Sequence, residues 1–377
     1  MQFFDESLLP ENQDPLVIQV APYAPSFMPQ DSDDIPVTYA EQVQKAVDCY
    51  NAGATVLHLH VREPDGQGSK DLDRFNEMLD RLRTAVPDMV LQVGGSISFA
   101  PKGEGEAALW LADDTRHMLA ELNPKPDQVT IAINTNQMNV MELITDEDAA
   151  GTSMGEPDYK KAYTEMYYES GPAFVKEHLK RLVAAGIQPH FMIGSIKDLE
   201  TVERIVRQGQ YMGPYVLNWV SIGGGHDGPN PRNLMEFINR VPQNAVLTVE
   251  GLMRHLYPLN AMGIAMGLHV RVGQEDNLYG RRGERATSVQ QIEKMVRISE
   301  ELWRPIATAD QAREIYQLGT FYSSIDETLE RNGWLPNRKP SVVARREALI
   351  VGNAAQPLES LAVRDARQHC VQRREFG

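Results

Sequence analysis

Strand-like and helix-like segments alternate along most of this 377-residue chain. Eight short apolar segments, spaced roughly 30 residues apart, are each predicted to form a strand, and helix-like segments separate most of them. Eight such pairs are typical of a (β/α)₈ barrel, in which parallel strands close inside a ring of helices. A doubly wound sheet would also alternate, but no G-x-G-x-x-G motif follows the first strand. We therefore predict a TIM barrel, with strands at residues 16–22, 56–62, 89–95, 128–134, 187–194, 215–223, 244–251 and 268–273.

The barrel is predicted to occupy residues 1–322, and residues 323–377 to form a C-terminal helical or irregular extension. The last fifty or so residues are rich in Arg, Pro and Ala and are too few to build a large core of their own. We expect this extension to pack on a neighbouring subunit. Two long polar segments, 100–106 and 145–169, follow the third and fourth strands, where barrel enzymes place their active-site loops.

Charge and cysteine usage exclude several classes of protein. A formal net charge of -15 argues against nucleic acid as the main partner, because phosphate binding needs a basic face. No apolar run approaches the roughly 20 residues that cross a bilayer. The two cysteines, Cys49 and Cys370, are too few for a disulfide framework. We expect a soluble protein of the cytoplasm.

The second predicted strand, VLHLHVR, contains His58 and His60 two residues apart. Positions i and i+2 of a strand point to the same face, so the two imidazoles could bind one metal ion. The alternative is a pair of histidines that are satisfied by hydrogen bonds within the barrel. The pair alone does not decide between these interpretations.

The stretch HVRVGQEDN, residues 269–277, adds three more candidates. Arg271 lies on the last predicted strand, and Glu275 and Asp276 follow at its C-terminal end, where barrel enzymes place catalytic residues. Two neutral histidines and one carboxylate are a three-ligand set for a catalytic zinc with one open position. A solvated loop that caps a helix would also contain acids, but it does not explain why an arginine lies beside them.

Three stretches of this chain resemble the β-keto acid cleavage enzyme family. They are IPVTYAEQVQKAVDCYNAGATVLHLHVREPDG (35–66), HVRVGQEDNLYGRRGERATSVQQIEKMVRISEEL (269–302) and PIATADQAREIYQLG (305–319). The resemblance extends over roughly residues 15 to 320 and rests mainly on the combination of H-x-H with R-V-G-x-E-D-N. It implies a zinc-dependent (β/α)₈ barrel that uses acetyl-CoA to split a β-keto acid into acetoacetate and a new acyl-CoA. It also implies a homotetramer.

The resemblance assigns roles to the residues already singled out. His58, His60 and Glu275 would bind zinc, and Asp276 would be the general base that removes a proton from the substrate. Arg271 would hold a carboxylate or oxyanion and orient Asp276.

The chain departs from the family pattern around the substrate. Ser26 stands near the position of a family glutamate that contacts the amino group of an amine-bearing substrate. Gln92 stands where a supporting serine is expected, with Ser96 or Ser98 as possible substitutes, and Thr135 corresponds to a threonine after the fourth strand. We predict that the substrate is not the aminated keto acid.

Other side chains near predicted strand ends are weaker candidates. Glu250 could support a metal-bound histidine or contact the substrate. His226, in GGGHDG, could bind phosphate or substrate, or could lie in an exposed tight turn. Arg281 and Arg282, with Arg285, could bind the CoA diphosphate, or could be surface arginines beside a helix.

Two other functions remain open at the level of sequence. A zinc-dependent hydrolase or aldolase could use the same barrel without CoA, since fold does not determine reaction. A non-catalytic metal-binding or metabolite-binding barrel is suggested by Gln92 in place of serine. Asp276 and Arg271 argue against such a binding protein, because it has no use for a base beside a metal.

Overall fold

The computed structural model describes residues 1, 3–95, 100–101, 107–109 and 113–338. In this part of the chain the strands are β1 (Ile18–Val20), β2 (Val56–Leu59), β3 (Val90–Val93), β4 (Ala100–Pro101), β5 (Ala108–Leu109), β6 (Gln128–Ala132), β7 (Asn136–Met138), β8 (Met166–Tyr168), β9 (Gln188–Ile193), β10 (Val216–Ser221), β11 (Val246–Gly251) and β12 (His269–Val272).

The helices are α1 (Tyr39–Asn51), α2 (Leu72–Ala85), α3 (Asp113–His117), α4 (Asp146–Ala149), α5 (Pro157–Thr164), α6 (Pro172–Ala185), α7 (Ile196–Arg207), α8 (Pro231–Arg240), α9 (Leu256–Ala265), α10 (Ser288–Glu301), α11 (Ala309–Ile315) and α12 (Ile325–Asn332). Short 3₁₀ helices connect some of them.

Eight parallel strands close into a barrel in the order β1-β12-β11-β10-β9-β6-β3-β2. The predicted TIM barrel is confirmed. Each predicted strand contains one of these eight, and the observed strands are shorter at their ends. Both faces of a barrel strand are buried, which explains why the strands are almost continuously apolar in sequence.

The helices begin where the sequence supplies capping groups. At the start of α1, the Thr38 side chain accepts a hydrogen bond from the Glu41 backbone N–H, and the Glu41 carboxylate accepts one from the Thr38 N–H. These two reciprocal hydrogen bonds form a capping box. On α2, Phe75, Met78, Leu79 and Leu82 form the buried face that packs on the barrel.

Several elements were not predicted. Helix α8 lies between β10 and β11, and α4, α5 and β8 fall within the segment 145–169 that was expected to be a polar loop. Strands β4, β5, β8 and β7 form a separate small sheet in that order. Elements inserted after β3 and β6 thus form structure of their own on the side of the barrel where active sites lie.

The chain divides into two compact units, Met1–Leu335 and Pro336–Gly377, and only residues 336–338 of the second belong to the described part. The boundary proposed from the sequence, 322/323, lies before α12. That helix belongs to the first unit: Leu329 is buried in its core, and the Asn332 side chain accepts a hydrogen bond from the Tyr215 N–H at 2.7 Å. Packing of the extension on a neighbouring subunit stays a prediction. No helix among the described residues combines the length and apolar character needed to cross a membrane.

Candidate active site

The structure brings the predicted metal ligands together at the C-terminal end of the barrel. His58 lies in β2, and His60 follows one residue after its end. Their Nε2 atoms are 3.2 Å apart, and they lie 3.6 Å and 3.8 Å from the two carboxylate oxygens of Glu275. Both histidines are buried. Side chains more than 200 residues apart in sequence therefore converge on one point.

The glycine pair after β3 makes room for this arrangement. A Cβ atom on Gly94 would lie 2.2 Å from the His60 ring, and one on Gly95 would lie 1.9 Å from the Thr130 carbonyl oxygen. Real Cβ atoms do not approach other atoms so closely. Only glycine fits at either position without displacing His60 or the neighbouring strand β6.

Gln92 controls the orientation of His58. The His58 Nδ1 lies 2.7 Å from the Gln92 Oε1 atom, which also accepts a hydrogen bond from Gln19 Nε2 at 2.9 Å. Because an amide oxygen only accepts, the His58 proton lies on Nδ1 and the Nε2 lone pair faces Glu275 and His60. A hydrogen bond of this kind is how proteins hold a metal-binding histidine in place.

Gln92 belongs to a row of glutamines in the barrel interior. Each glutamine amide nitrogen donates to the next acceptor around the barrel, at 2.7 to 2.9 Å. The row runs from Gln19 through Gln92, Gln128 and Gln188 to the backbone carbonyl of Tyr316. We call these four residues the glutamine row. It fills the layer beneath the site with buried amides, whose nitrogens all donate hydrogen bonds.

The three side chains fit a divalent metal ion. One ligand atom from each of His58, His60 and Glu275 lies within 4.8 Å of the others. Burial and then the nearby Arg271 charge lower the pKa of His58, so it is neutral and able to coordinate. Burial raises the pKa of Glu275, but the Arg271 charge and its hydrogen bond lower it further than burial raises it and leave the carboxyl ionised. Its Oε2 atom is buried without a hydrogen-bond partner among the described residues. Two imidazoles and one carboxylate are the protein ligands of many catalytic zinc sites.

Arg271 is surrounded by carboxylates. Its Nε and Nη2 atoms donate to the two oxygens of Asp276, both at 2.8 Å, and Nη2 also donates to Glu275 at 2.7 Å. The Glu250 carboxyl lies 3.4 Å from Nε and accepts a further hydrogen bond from Asn218. The two-point contact with Asp276 fixes both the position and the plane of that carboxylate.

Burial and charge act in opposite directions on these groups. Burial raises the pKa of Asp276, and Arg271 limits that rise. Burial also raises the pKa of Glu250, again opposed by Arg271. For Arg271, the three carboxylates outweigh burial and raise its pKa, so it remains a fixed cation. Asp276 is thereby a stronger base than an exposed aspartate, which suits proton abstraction near neutral pH.

A cavity of about 840 Å³, its open mouth included, lies above this cluster. Of the residues predicted to bind substrate, Ser26 and Glu250 line it. His226 also lines it and is buried, with Nδ1 3.2 Å from the Val220 carbonyl oxygen and Nε2 3.2 Å from the Tyr168 hydroxyl. His226 does lie in a tight turn, in which its N–H donates to the Gly223 carbonyl oxygen at 3.1 Å, but the prediction that it is exposed there is wrong.

Other predicted substrate contacts lie elsewhere. Gln92 is beneath the cavity and contacts His58 instead. Thr135 is exposed and accepts a hydrogen bond from the Ser170 N–H at 3.1 Å, so it does not line the cavity. Ser96 and Ser98 lie outside the described residues.

The arginines predicted to bind CoA lie on the surface. Arg281 and Arg282 are exposed, and Arg282 pairs with the Glu147 carboxylate. The Arg285 guanidinium stacks over the Tyr279 ring at 4.6 Å.

Many residues that line the cavity were not predicted from the sequence, among them Thr130, Asn218 and Met192. All three lie in predicted strands, and Asn218 and Met192 are paired in register across β10 and β9. The alternation of side chains along a strand could have indicated them, because inward positions near a strand's C-terminal end face the barrel mouth.

The fold and the site together define a barrel enzyme in which a candidate metal site adjoins a buried arginine–carboxylate cluster. The chain belongs to the beta-keto acid cleavage enzyme family, whose model matches residues 15–318. The family prediction made from the sequence is confirmed.

The match with two named relatives extends over almost the whole length of those proteins. A 3-keto-5-aminohexanoate cleavage enzyme of Acetoanaerobium sticklandii is 28% identical over 303 residues, which is 80% of this chain and 97% of that protein. A 3-dehydrocarnitine:acetyl-CoA trimethylamine transferase of Rhizobium meliloti is 28% identical over 297 residues, covering 76% of this chain and 91% of that protein. Among solved structures, a binary complex of ObcA with oxaloacetate is similar, with a TM-score of 0.55 and 14% identity over 76% of this chain and 68% of that one. This last likeness concerns the fold alone.

Proposed function

We propose that this chain is a zinc-dependent enzyme that transfers the acyl group of a β-keto acid to CoA. The substrate R–CO–CH₂–COO⁻ and acetyl-CoA would give R–CO–CoA and acetoacetate, so every atom of the reactants appears in the products. The observation that carries the proposal is the convergence of His58, His60 and Glu275 beside the Arg271–Asp276 pair. The family match and the acetyl-CoA in the names of relatives support it.

Zinc held by His58, His60 and Glu275 would supply a Lewis acid that polarises the substrate's keto oxygen. Asp276 is proposed to accept the proton that must leave the substrate before the new carbon–carbon bond forms. Arg271 keeps that carboxylate ionised and fixes its orientation through two hydrogen bonds at 2.8 Å. Glu250 also contacts Arg271, and we propose that it helps Asp276 in this proton transfer.

We propose that CoA binds at the exposed surface that carries Arg281 and Arg282. Arg281 and Arg282 are proposed to contact the CoA diphosphate, with Arg282 exchanging its Glu147 partner for phosphate. We further propose a homotetramer, for which the sequence resemblance is the support, and a cytoplasmic location, which the low cysteine content supports.

The test is an assay of the zinc-loaded protein with acetyl-CoA and a panel of β-keto acids, in which acetoacetate is quantified. Acetoacetate is expected from at least one substrate and should disappear in His58→Ala. Failure to form acetoacetate from any substrate, with zinc present at one ion per chain, would contradict the proposal. It would favour a CoA-independent hydrolase or aldolase, or a binding protein.

A further inference from the structure

The cavity has a polar side and an apolar side. Its metal-ligand and charged groups come from β2 and the residue after it, from β11 and β12, and from the loop after β12. In the barrel order β2 and β12 flank β1, and β11 lies next to β12. Strand β9 is the fourth strand from β1 in both directions, so it stands across the barrel. A substrate whose keto acid group meets the polar cluster can extend its remaining chain across the cavity towards β9 and β10.

Apolar side chains make up most of that opposite side, where Asn218 and Thr130 are neutral polar residues. Met192 lies near the end of β9, Val220 belongs to β10, and Ile222 follows it. Met138 and Met166, which pair in register across β7 and β8, line the cavity from the small inserted sheet. Four methionines in all line this cavity, with Met154 as the fourth. Methionine side chains are flexible and adapt to aliphatic chains of different shape.

Charged partners are missing from this side among the described residues. Arg271 is the one lysine or arginine that lines the described cavity, and its hydrogen bonds go to Asp276 and Glu275. The acids of the cavity are the three that surround Arg271. The His226 ring is engaged by the Val220 carbonyl and the Tyr168 hydroxyl. A second ionised group at the far end of a substrate would lose its hydration without gaining a counter-ion from the described residues, which is unfavourable.

We propose that the preferred substrate is a β-keto acid whose far end is an uncharged aliphatic chain, in contact with Met138, Met166 and Met192. This inference rests on the proposed function for the orientation of the keto acid group. It extends the sequence prediction, which excluded only the aminated acid, to substrates with a second carboxylate.

Three six-carbon acids test the proposal without any mutation: 3-oxohexanoate, 3-oxoadipate and 5-amino-3-oxohexanoate. They differ mainly in the charge at the end far from the keto acid group, which is neutral in the first, anionic in the second and cationic in the third. We expect the kcat/KM of the zinc-loaded enzyme with acetyl-CoA to be at least about 100-fold higher for 3-oxohexanoate, because a desolvated unpaired charge is costly. Equal or faster turnover of either charged acid would overturn the inference while leaving the proposed function intact.

A binding measurement separates the two proposals. Calorimetry of the three acids with the zinc-loaded protein, in the absence of acetyl-CoA, reports selectivity even if no turnover occurs. Tighter binding of 3-oxohexanoate supports the inference. Equal or tighter binding of a charged acid, or binding of none of the three, overturns it. A failure of turnover with selective binding would count against the proposed reaction alone.

A charge introduced on the apolar side should change the selectivity. Met192→Lys is expected to raise the ratio of kcat/KM for 3-oxoadipate over 3-oxohexanoate at least about tenfold, since the lysine would pair with the second carboxylate. Met235→Lys is the matched control, because Met235 is 44% exposed on α8 and does not line the cavity. An unchanged ratio in a folded, zinc-containing Met192→Lys protein would contradict the assignment of this side to the substrate chain.

Discussion

The Gln92 side-chain oxygen lies 2.7 Å from Nδ1 of His58, on the side of the imidazole ring away from Glu275. This contact fixes the tautomer that leaves Nε2 free to bind a metal. Removing it should weaken metal binding without removing a ligand. We predict that Gln92→Leu lowers zinc affinity about 10- to 100-fold, the usual effect of losing such a supporting hydrogen bond.

Competition with a fluorescent zinc chelator measures that affinity. Gln44→Leu is the control, since Gln44 is exposed on α1 and contacts only Asp48 in its side-chain hydrogen bond. Wild-type affinity in Gln92→Leu would mean that the contact does not orient His58.

Gly94→Ala should displace His60. The added Cβ would lie 2.2 Å from the imidazole ring, so the ring must leave its place or β3 must move. We predict loss of stoichiometric zinc and of acetoacetate formation. Gly228→Ala is the matched control, because a Cβ there has no neighbour closer than 3.8 Å. A Gly94→Ala protein with one zinc per chain would show that the space is less constrained than the structure indicates.

Asp276→Asn should separate proton transfer from metal binding. Asparagine keeps the shape of the side chain but cannot accept the substrate proton, so we expect turnover to fall about 10²- to 10⁴-fold. Zinc content, measured by atomic absorption, should stay at the wild-type level. Glu275→Gln should instead lose zinc. If the two variants exchange these properties, the roles proposed for Asp276 and Glu275 are reversed.

His190 should make the fold sensitive to acid. Neither ring nitrogen has a hydrogen-bond partner among the described residues, and burial, then the Arg271 charge, lower its pKa to about 3. An unfolded histidine binds its proton near pH 6.5, so below that pH the unfolded state gains a proton that the native state does not. Native stability therefore falls between about pH 6.5 and pH 3.

The contribution of His190 between pH 7 and pH 5 is about 2 kcal/mol, at roughly 1.4 kcal/mol for each pH unit below 6.5. Urea unfolding in the presence of a chelator measures it apart from metal loss. His190→Leu should show a smaller loss of unfolding free energy over that range than the wild type, and the exposed His255→Gln should not. Equal losses in the wild type and His190→Leu would contradict the prediction.

The C-terminal extension should affect assembly. Because α12 packs on the barrel through Leu329, a truncation must spare it and begin after residue 338. We predict that deletion of residues 339–377 lowers the number of subunits per particle, measured as particle mass divided by chain mass in size-exclusion chromatography with light scattering. An unchanged number of subunits would mean that residues 339–377 are not needed for the subunit interface.

Much of the barrel could be predicted because its strands carry apolar side chains on both faces. Its helices also begin at capping residues such as Thr38. Helix α8 carried a signal that was not used: Asn230 caps it, Pro231 begins it, and Leu234, Phe237 and Ile238 form its buried face. The small sheet carried no such signal. Each of its strands has two or three residues, which is too short to show a periodic pattern of apolar residues. In addition, β8 pairs with β5 and β7, which are distant from it in sequence.

The candidate site, like the fold, could be predicted only in part. The H-x-H pattern and the acids after β12 could be located because parallel strand ends meet at one side of a barrel. The role of Gln92 could not, since it depends on side chains from three other strands. Thr135 was chosen for its place after the fourth strand, whereas the threonine that lines the cavity, Thr130, lies within that strand.

The glutamine row has a direction. Each amide nitrogen donates the same way around the barrel, so one side chain cannot rotate by half a turn without leaving two donors, or two acceptors, face to face. Its far end is held by a backbone carbonyl next to α11, which lies outside the barrel. The orientation of a candidate metal ligand thus depends on a row that spans four strands and ends beside α11, so side chains that never approach the cavity contribute to the candidate metal site.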